Sequence, residues 1–288
     1  MIKFKKRSSK ILALILALVM IGSILTYAFK GTTRIEEREI KFRMGKNLSD
    51  WLKYLPIQEQ MLLFYNYQTE NETLLQLIYN STLNNIDPYL FRVFKPDLPY
   101  YNKLLIGQTV YFIDVGKVKV YFTTQNKYEH MNYTVKVSNV FGRPLALVDE
   151  IDPVIIGNPE TVIHVLNLIN GNGTSLIDEY EYLTRINGSF DYAFIITGDL
   201  ARSTIVSNNT PVADFYFEGY RMNGSLFEKV VGMHFIGNYF FVKSNETEYY
   251  FYENYDDGFS LAIMGDHNLT KLINTIPEIR SIQIKIEE

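Results

Sequence analysis

From Ile11 to Phe29 the chain runs for 19 residues without a charge, ILALILALVMIGSILTYAF. As a helix that stretch is about 28 Å long, close to the hydrocarbon thickness of a bilayer. A run this apolar on every side needs apolar surroundings all round, which argues against an ordinary buried helix of a soluble domain. Lys3, Lys5, Lys6, Arg7 and Lys10 precede it, and basic flanks stay on the cytoplasmic side. The expectation is a cytoplasmic basic segment at residues 1–10, a transmembrane helix at 11–29 that makes the membrane itself a partner, and a C-terminal part outside the cell. The competing reading is a cleaved secretory signal, for which Thr26-Tyr27-Ala28 offers permissible residues. The run is longer than the roughly 7–15 residues of a signal core and closes without an A-x-A triplet.

An exported part should show it in its surface chemistry. Asn-x-Ser/Thr triplets occur at Asn47, Asn71, Asn80, Asn132, Asn172, Asn187, Asn208, Asn223, Asn245 and Asn268. Composition alone supplies about 2.6 such triplets in a chain of this length, so the excess points to selection for N-glycosylation. Asn172, Asn187 and Asn223 each precede glycine, a pairing that suits tight turns projecting into solvent. Cysteine is absent, which excludes disulfides, thiolate metal sites, a cysteine nucleophile and a lipid-modified cysteine. Many sequons without disulfides fit an archaeal cell surface better than eukaryotic secretion.

The formal charge of -4 averages two unlike parts. The first thirty residues carry +6 and the remainder -10. An ectodomain that acidic repels phosphate backbones, so nucleic acid is excluded as a partner.

Residues 30–46 alternate in charge and read as a juxtamembrane linker ending in a short strand at 39–43. Residues 47–102 read as a helical region. Ser49 starts a helix carrying Trp51, Leu52 and Leu55 that Pro56 breaks; 57–67 spaces Met61, Leu62, Phe64 and Tyr65 helically; and 72–84 gathers Leu74, Leu77 and Ile78 on one side. Residues 103–288 read as an α+β ectodomain. Its strands are expected at 108–115, 117–124, 133–140, 145–148, 154–157, 192–197, 212–221, 226–235, 239–243, 248–252, 259–264 and 279–286. Asn158 before Pro159 caps a helix to Ile169, Ser175 with Asp178 opens another through Ile186, and 267–274 forms a last one. The fold class is therefore α+β: a transmembrane helix followed by a largely antiparallel sheet with packed helices.

A weak repeat runs through this part. Phe112-Ile113-Asp114-Val115-Gly116 resembles Phe194-Ile195-Ile196-Thr197-Gly198, and the strand, glycine, cap and helix at 154–169 recur at 262–276. The repeat units expected from this are 103–170 and 190–276. The strand-to-helix turns G-N-P-E-T, from Gly157, and G-D-H-N, from Gly265, resemble those of uncharacterised prokaryotic, archaeal-type, membrane-anchored extracytoplasmic proteins with duplicated sheet-and-helix modules. The resemblance spans roughly residues 104–276 and implies no activity. It departs in its inserted segment and its missing lipobox cysteine.

No residue pattern amounts to a catalytic, cofactor or metal site. His130, His164, His234 and His267 fall on different elements, and Glu160 with His164 lacks the second histidine of a zinc-protease helix. Glu253, Asn254, Asp256 and Asp257 miss the EF-hand spacing, and Asp149, Glu150 and Asp152 read as an acidic turn. Ser260 lies inside an apolar strand, whereas a nucleophile elbow needs a strand-to-helix turn. The aromatic residues, many on alternating strand positions, read as core and exposed strand faces. The expected function is non-enzymatic: a membrane-anchored, N-glycosylated binding or envelope-structural module with an envelope protein or glycan as partner and no cofactor. The alternative is a surface hydrolase or ligand-binding receptor whose site is assembled from distant residues.

Overall fold

The computed structural model describes residues 37–140, 142–207 and 209–281. The Ile11–Phe29 run, Asn208 and the end of the 279–286 strand lie outside the described residues. Among the described residues no helix is long and apolar enough to cross a membrane.

Twelve strands form one antiparallel sheet. In chain order they are β1 (Met61–Asn66), β2 (Lys103–Ile106), β3 (Val110–Asp114), β4 (Asn126–His130), β5 (Tyr133–Val140), β6 (Arg143–Val148), β7 (Val154–Gly157), β8 (Tyr192–Thr197), β9 (Ala213–Asn223), β10 (Leu226–Phe235), β11 (Tyr249–Asn254) and β12 (Phe259–Asp266). Across the sheet the order is β11-β12-β10-β9-β8-β1-β2-β3-β7-β6-β5-β4. The helices are α1 (Leu48–Leu52), α2 (Glu72–Asn85), α3 (Leu90–Val93), α4 (Pro159–Ile169), α5 (Leu176–Glu179), α6 (Gly198–Thr204) and α7 (Leu269–Asn274). The α+β class and the antiparallel pairing are as the residue pattern implies.

The region 47–102 is not wholly helical. Residues 61–66, expected to be helical, form the central strand β1. Leu62 and Phe64 join the core on one face, while Leu63 and Tyr65 join the core on the other. A strand covered on both faces reads as an unbroken apolar run, and over so short a span that run is indistinguishable from a buried helix turn. Edge strand β4 went unseen for the opposite reason, since it has almost no apolar residue. The segment 117–124 keeps only Tyr121–Phe122 as strand. The helix opened by Ser175 breaks after Glu179 and continues as a 3-10 turn over Glu181–Arg185.

One face of the sheet is covered by α1, α4, α5 and Glu181–Arg185. Trp51 sits there, its ring 5.6 Å from that of Phe64 and its indole N–H donating to the Gly45 carbonyl at 2.8 Å. On the other face α2 and α3 cover the first half of the sheet, with Ile78 and Leu90 in that core. The second half is covered there by α7 and by the small two-stranded pair Tyr239–Phe241 with Ile279–Ser281, through Leu272 and Phe241.

The order of elements occurs twice. Helix α1, strand β1, helix α2, antiparallel strands, then β7 leading into α4 make the first half; α5, β8, α6, antiparallel strands, then β12 leading into α7 make the second. The halves meet at β1 and β8, where Tyr65 faces Tyr192 and Met61 faces Ile196 about the Leu63–Phe194 pair. Outward from that pair the sheet reads β1-β2-β3-β7-β6 on one side and β8-β9-β10-β12-β11 on the other, with β5 and β4 added beyond β6. The unit thus begins at α1, upstream of residue 103. Phe112 and Phe194 are not equivalent, since β8 is central and β3 lies third from the centre of its half. The 154–169 and 262–276 units do occupy matching places. Gly157 ends β7 because a Cβ there would lie 2.3 Å from the Thr109 carbonyl oxygen.

Candidate functional site

Two concavities flank His164 on α4. Asn158 caps this helix, its side chain accepting from the Glu160 N–H at 3.0 Å, and Pro159 takes the first helical position. Val162, Val165 and Leu166 turn to the sheet, which leaves His164 on the outer face. On one side of His164 a hollow of about 290 Å³ is lined by Pro56, Ile57, Gln58, Asn167, Leu168 and the Asn172–Thr174 turn. On the other, a second of about 290 Å³ is lined by Tyr128, Pro159, Glu160 and Ile163. Asn167 is held by His130, whose Nε2 lies 3.1 Å from its Oδ1. Aliphatic walls, side-chain amides, one imidazole and one tyrosine ring suit a small polar ligand with an apolar face.

His234 belongs to a different assembly. Its Nδ1 is 2.6 Å from Asp214 Oδ1 and its Nε2 is 3.0 Å from the Asp257 carbonyl oxygen. Its ring stacks on Tyr182 at 4.9 Å, and Arg202 reaches Asp214 at 3.5 Å. The Asp214 bond raises the His234 pKa, outweighing burial, which lowers it. Burial pushes Asp214 up, but His234 and Arg202 together hold it below its ordinary value. The raised histidine contributes stability in full below about pH 6.5 and loses it as pH rises through the raised value. The depressed aspartate contributes above about pH 3.9 and loses this as pH falls through the depressed value. With both ring nitrogens engaged, this imidazole is a structural link. Replacing His234 by Gln should cost about 1 kcal/mol at pH 6 and clearly less at pH 9, measured by urea unfolding at both pH values. An equal loss at both would remove the ion pair from the account.

The other candidates come apart in three dimensions. Glu160 and His164 both border the second hollow without forming an ion pair. Asp149 pairs with Lys136 at 2.5 Å, Glu150 with Lys41 at 3.1 Å, and Asp152 with Arg38, so that acidic turn splays toward three cations. Asp257 pairs with Arg185 at 2.7 Å, Glu253 accepts from the Tyr255 hydroxyl, and Asn254 bonds the backbone of Phe241 in both directions. Among the described residues no cluster of three or more histidine, aspartate or glutamate side chains is placed to hold a metal ion. Ser260 is buried inside β12 and donates to Asn254 Oδ1 at 2.7 Å. His267 lies past the far end of that strand, near Ser225 and Glu248.

Of the sequon residues, Asn47, Asn80, Asn132, Asn172, Asn187, Asn223, Asn245 and Asn268 are exposed and Asn71 is half-buried. Asn71 and Asn268 cap α2 and α7 through their side-chain oxygens, at 3.0 Å in each case, which leaves the amide nitrogen, the atom a glycan takes, pointing elsewhere. At the β9–β10 hairpin the two-residue loop is Gly224–Ser225, so Asn223 is the last paired strand residue and glycine alone takes the left-handed conformation. The Asn223 amide donates to Glu228 at 3.1 Å.

Buried charges that escaped sequence reasoning include Arg38, Glu59, Glu228 and Lys229. Glu59 accepts both the N–H and the hydroxyl of Thr109, tying the start of β1 to the β2–β3 turn, and burial raises its pKa. A lysine inside the apolar run of β10 was the one visible signal, because a charge on an inward strand position requires a partner.

This architecture, a single antiparallel sheet of two similar halves with helices on both faces, defines a class by fold and not by chemistry. A family model, AF_2048_N, which describes a family N-terminal domain, matches residues 43–170. That stretch runs from just before α1 to the end of α4, the first half of the sheet. The chain is 37% identical over 315 residues to an uncharacterized protein of Archaeoglobus fulgidus, covering 98% of this chain and 96% of that one. It belongs to the same family as that archaeal protein. Two crystal forms of TP0453 are similar at 10% identity, form I with TM-score 0.37 over 75% of this chain and 91% of that one, form III with 0.38 over 77% and 96%. Likeness at that level carries no argument about function.

Proposed function

We propose that the chain is a single-pass membrane protein, anchored by residues 11–29 with its N-terminus in the cytoplasm. Its N-glycosylated extracellular α+β domain acts as a binding or envelope-structural module. The observation that supports this best is the placement of the sequons. They outnumber chance, and the exposed ones stand on both helical layers and at the β4–β5 and β9–β10 turns. Glycans so distributed suit a domain that stands free in an aqueous exterior. Its acidic surface favours a protein or neutral glycan partner over an anionic polymer. A second reading, a small-ligand receptor, is favoured by the two hollows beside His164.

Glycopeptide mass spectrometry on protein from native membranes tests the first reading. Occupancy is expected at Asn132, Asn172 and Asn187, and lower occupancy at Asn223, whose amide must leave Glu228 to be modified. The N-terminus should be intact by sequencing. Unmodified asparagine at every sequon, or a chain beginning near Lys30 and released to the medium, overturns it. For the second reading, a His164→Ala variant should lose any small-molecule binding found by calorimetry while keeping its thermal stability.

A further inference from the structure

The two ends of the sheet are unlike. At the β4 end the edge strand is Asn126-Lys127-Tyr128-Glu129-His130, whose charges of both signs discourage another strand from adding. At the other end β11 is Tyr249-Tyr250-Phe251-Tyr252-Glu253-Asn254, with no lysine, arginine or proline. Tyr249, Phe251 and Tyr252 are 48%, 43% and 39% exposed. Among the described residues β11 pairs only with β12, and the Asn254 side chain, held by Phe241, closes its C-terminal end. The Tyr249 carbonyl accepts from the Thr247 hydroxyl at 2.7 Å, and among the described residues no strand covers the outer edge from Tyr250 to Glu253.

The internal repeat shows what fits there. In the first half β6 holds the place that β11 holds in the second, since β6 pairs with β7 as β11 pairs with β12, just before the closing helix. The outer edge of β6 is covered by an antiparallel strand, β5, from Lys136↔Leu147 to Val140↔Arg143. The second half has no such hairpin among its described residues. An antiparallel strand laid along the outer edge of β11 would complete the repeat.

We propose that this strand is β11 of a second copy of the chain, paired about a twofold axis at Phe251. Such an axis, perpendicular to the sheet, makes like strands antiparallel and keeps each face on its own side. Phe251 then faces Phe251 of the second copy, Tyr250 faces Tyr252, and Tyr249 faces Glu253. The one charge in the strand meets a tyrosine hydroxyl and not its own copy, and aromatic cross-strand pairs are among the stabilising ones. Within one copy Glu253 already accepts from a tyrosine hydroxyl, that of Tyr255, at 2.9 Å. Contact with the polar β4 edge of another copy would instead build an open filament, which the unlike chemistry of the two edges disfavours.

The chain has no cysteine, so a single introduced thiol reports one position. The full chain carrying Phe251→Cys, purified in detergent and mildly oxidised, should give a covalent dimer, and Tyr128→Cys on the opposite edge should not. As a second measurement, sedimentation of the cysteine-free chain should show a monomer–dimer equilibrium that Tyr249→Lys weakens at least tenfold with an unchanged circular dichroism spectrum. No covalent dimer at Phe251→Cys, or equal dimer at both positions, overturns the proposal. So does an equilibrium indifferent to Tyr249→Lys. An edge covered by the chain's own residues 282–288, or by a different protein, gives the first of these results.

Discussion

Replacing Lys229 by methionine is expected to cost about 3 kcal/mol of folding stability, because it removes a buried cation and strands its half-buried carboxylate partner. Lys229 is 2% exposed. Its ammonium donates to the carbonyl oxygens of Ile273 and Thr275 at 3.2 and 3.0 Å, where α7 ends, and lies 3.3 Å from Glu218. Cations stabilise helix C-termini, where carbonyls lack intrahelical partners. Glu218 also accepts from the hydroxyls of Tyr216 and Tyr220, and burial with this carboxylate drives both phenols far above their ordinary pKa. Methionine keeps the chain length but leaves the carboxylate without its cation and two carbonyls without a donor. In a domain of this size the melting temperature should fall by on the order of 10 °C. Adding Glu218→Gln should recover part of the loss, since the stranded charge is then gone. A single variant that melts within about 2 °C of the parent would show that water replaces the ammonium.

The second large effect is expected at Arg38. Its guanidinium donates to the carbonyl of Gly116 at 3.0 Å and that of Asp149 at 2.9 Å, to the carbonyl of Ile151, and to the carboxylate of Asp152. One side chain thereby joins the turn after β3 to the turn between β6 and β7. Beside it Phe42–Arg43 pairs in parallel with Ile151–Asp152. Arg38→Ala should cost about 3–5 kcal/mol, because several buried acceptors lose their donor at once. Arg38→Lys should rescue less than half of this, since an ammonium cannot present a planar fork to four acceptors. Hydrogen exchange at residues 38–46 and 149–153 should accelerate in both variants more than at β8. Uniform acceleration would mean that Arg38 serves global stability and not the seating of this segment.

Where local chemistry is complete, the sequence alone locates an element to the residue. Helix α4 is such a case: Asn158 caps, Pro159 starts, and the apolar residues recur at helical spacing. Strands β5, β7, β8 and β10 are others, each a β-branched and aromatic run between turn residues. Helix α6 was missed because it follows β8 directly, its N-cap Thr197 being the last residue of that strand and making no side-chain cap, and its first residue Gly198 is in the left-handed conformation. The hollows beside His164 were not legible either. Pro56, Tyr128 and Asn172 meet there from three separate segments, and no spacing rule connects them.

The sequence by itself determined the class of fold, the antiparallel strands after residue 190 and the helices opened by Asn158 and Ser175, all set by neighbours a few residues apart; that Asn47 and Asn268 cap helices, and that Asn223 is a paired strand residue, came from the structure. Only the tertiary structure decided that 61–66 is the central strand, that the two halves meet there, and that β11 is the last strand of the sheet among the described residues. It alone gave Arg38 its partner 114 residues away and Lys229 its carbonyls 44 and 46 residues away. The reason is physical. Periodicity records which side of an element faces the core, and it vanishes when both sides do. A buried charge is tolerated only by the groups that surround it, and those are chosen by the packing of the sheet, not by the chain next to it.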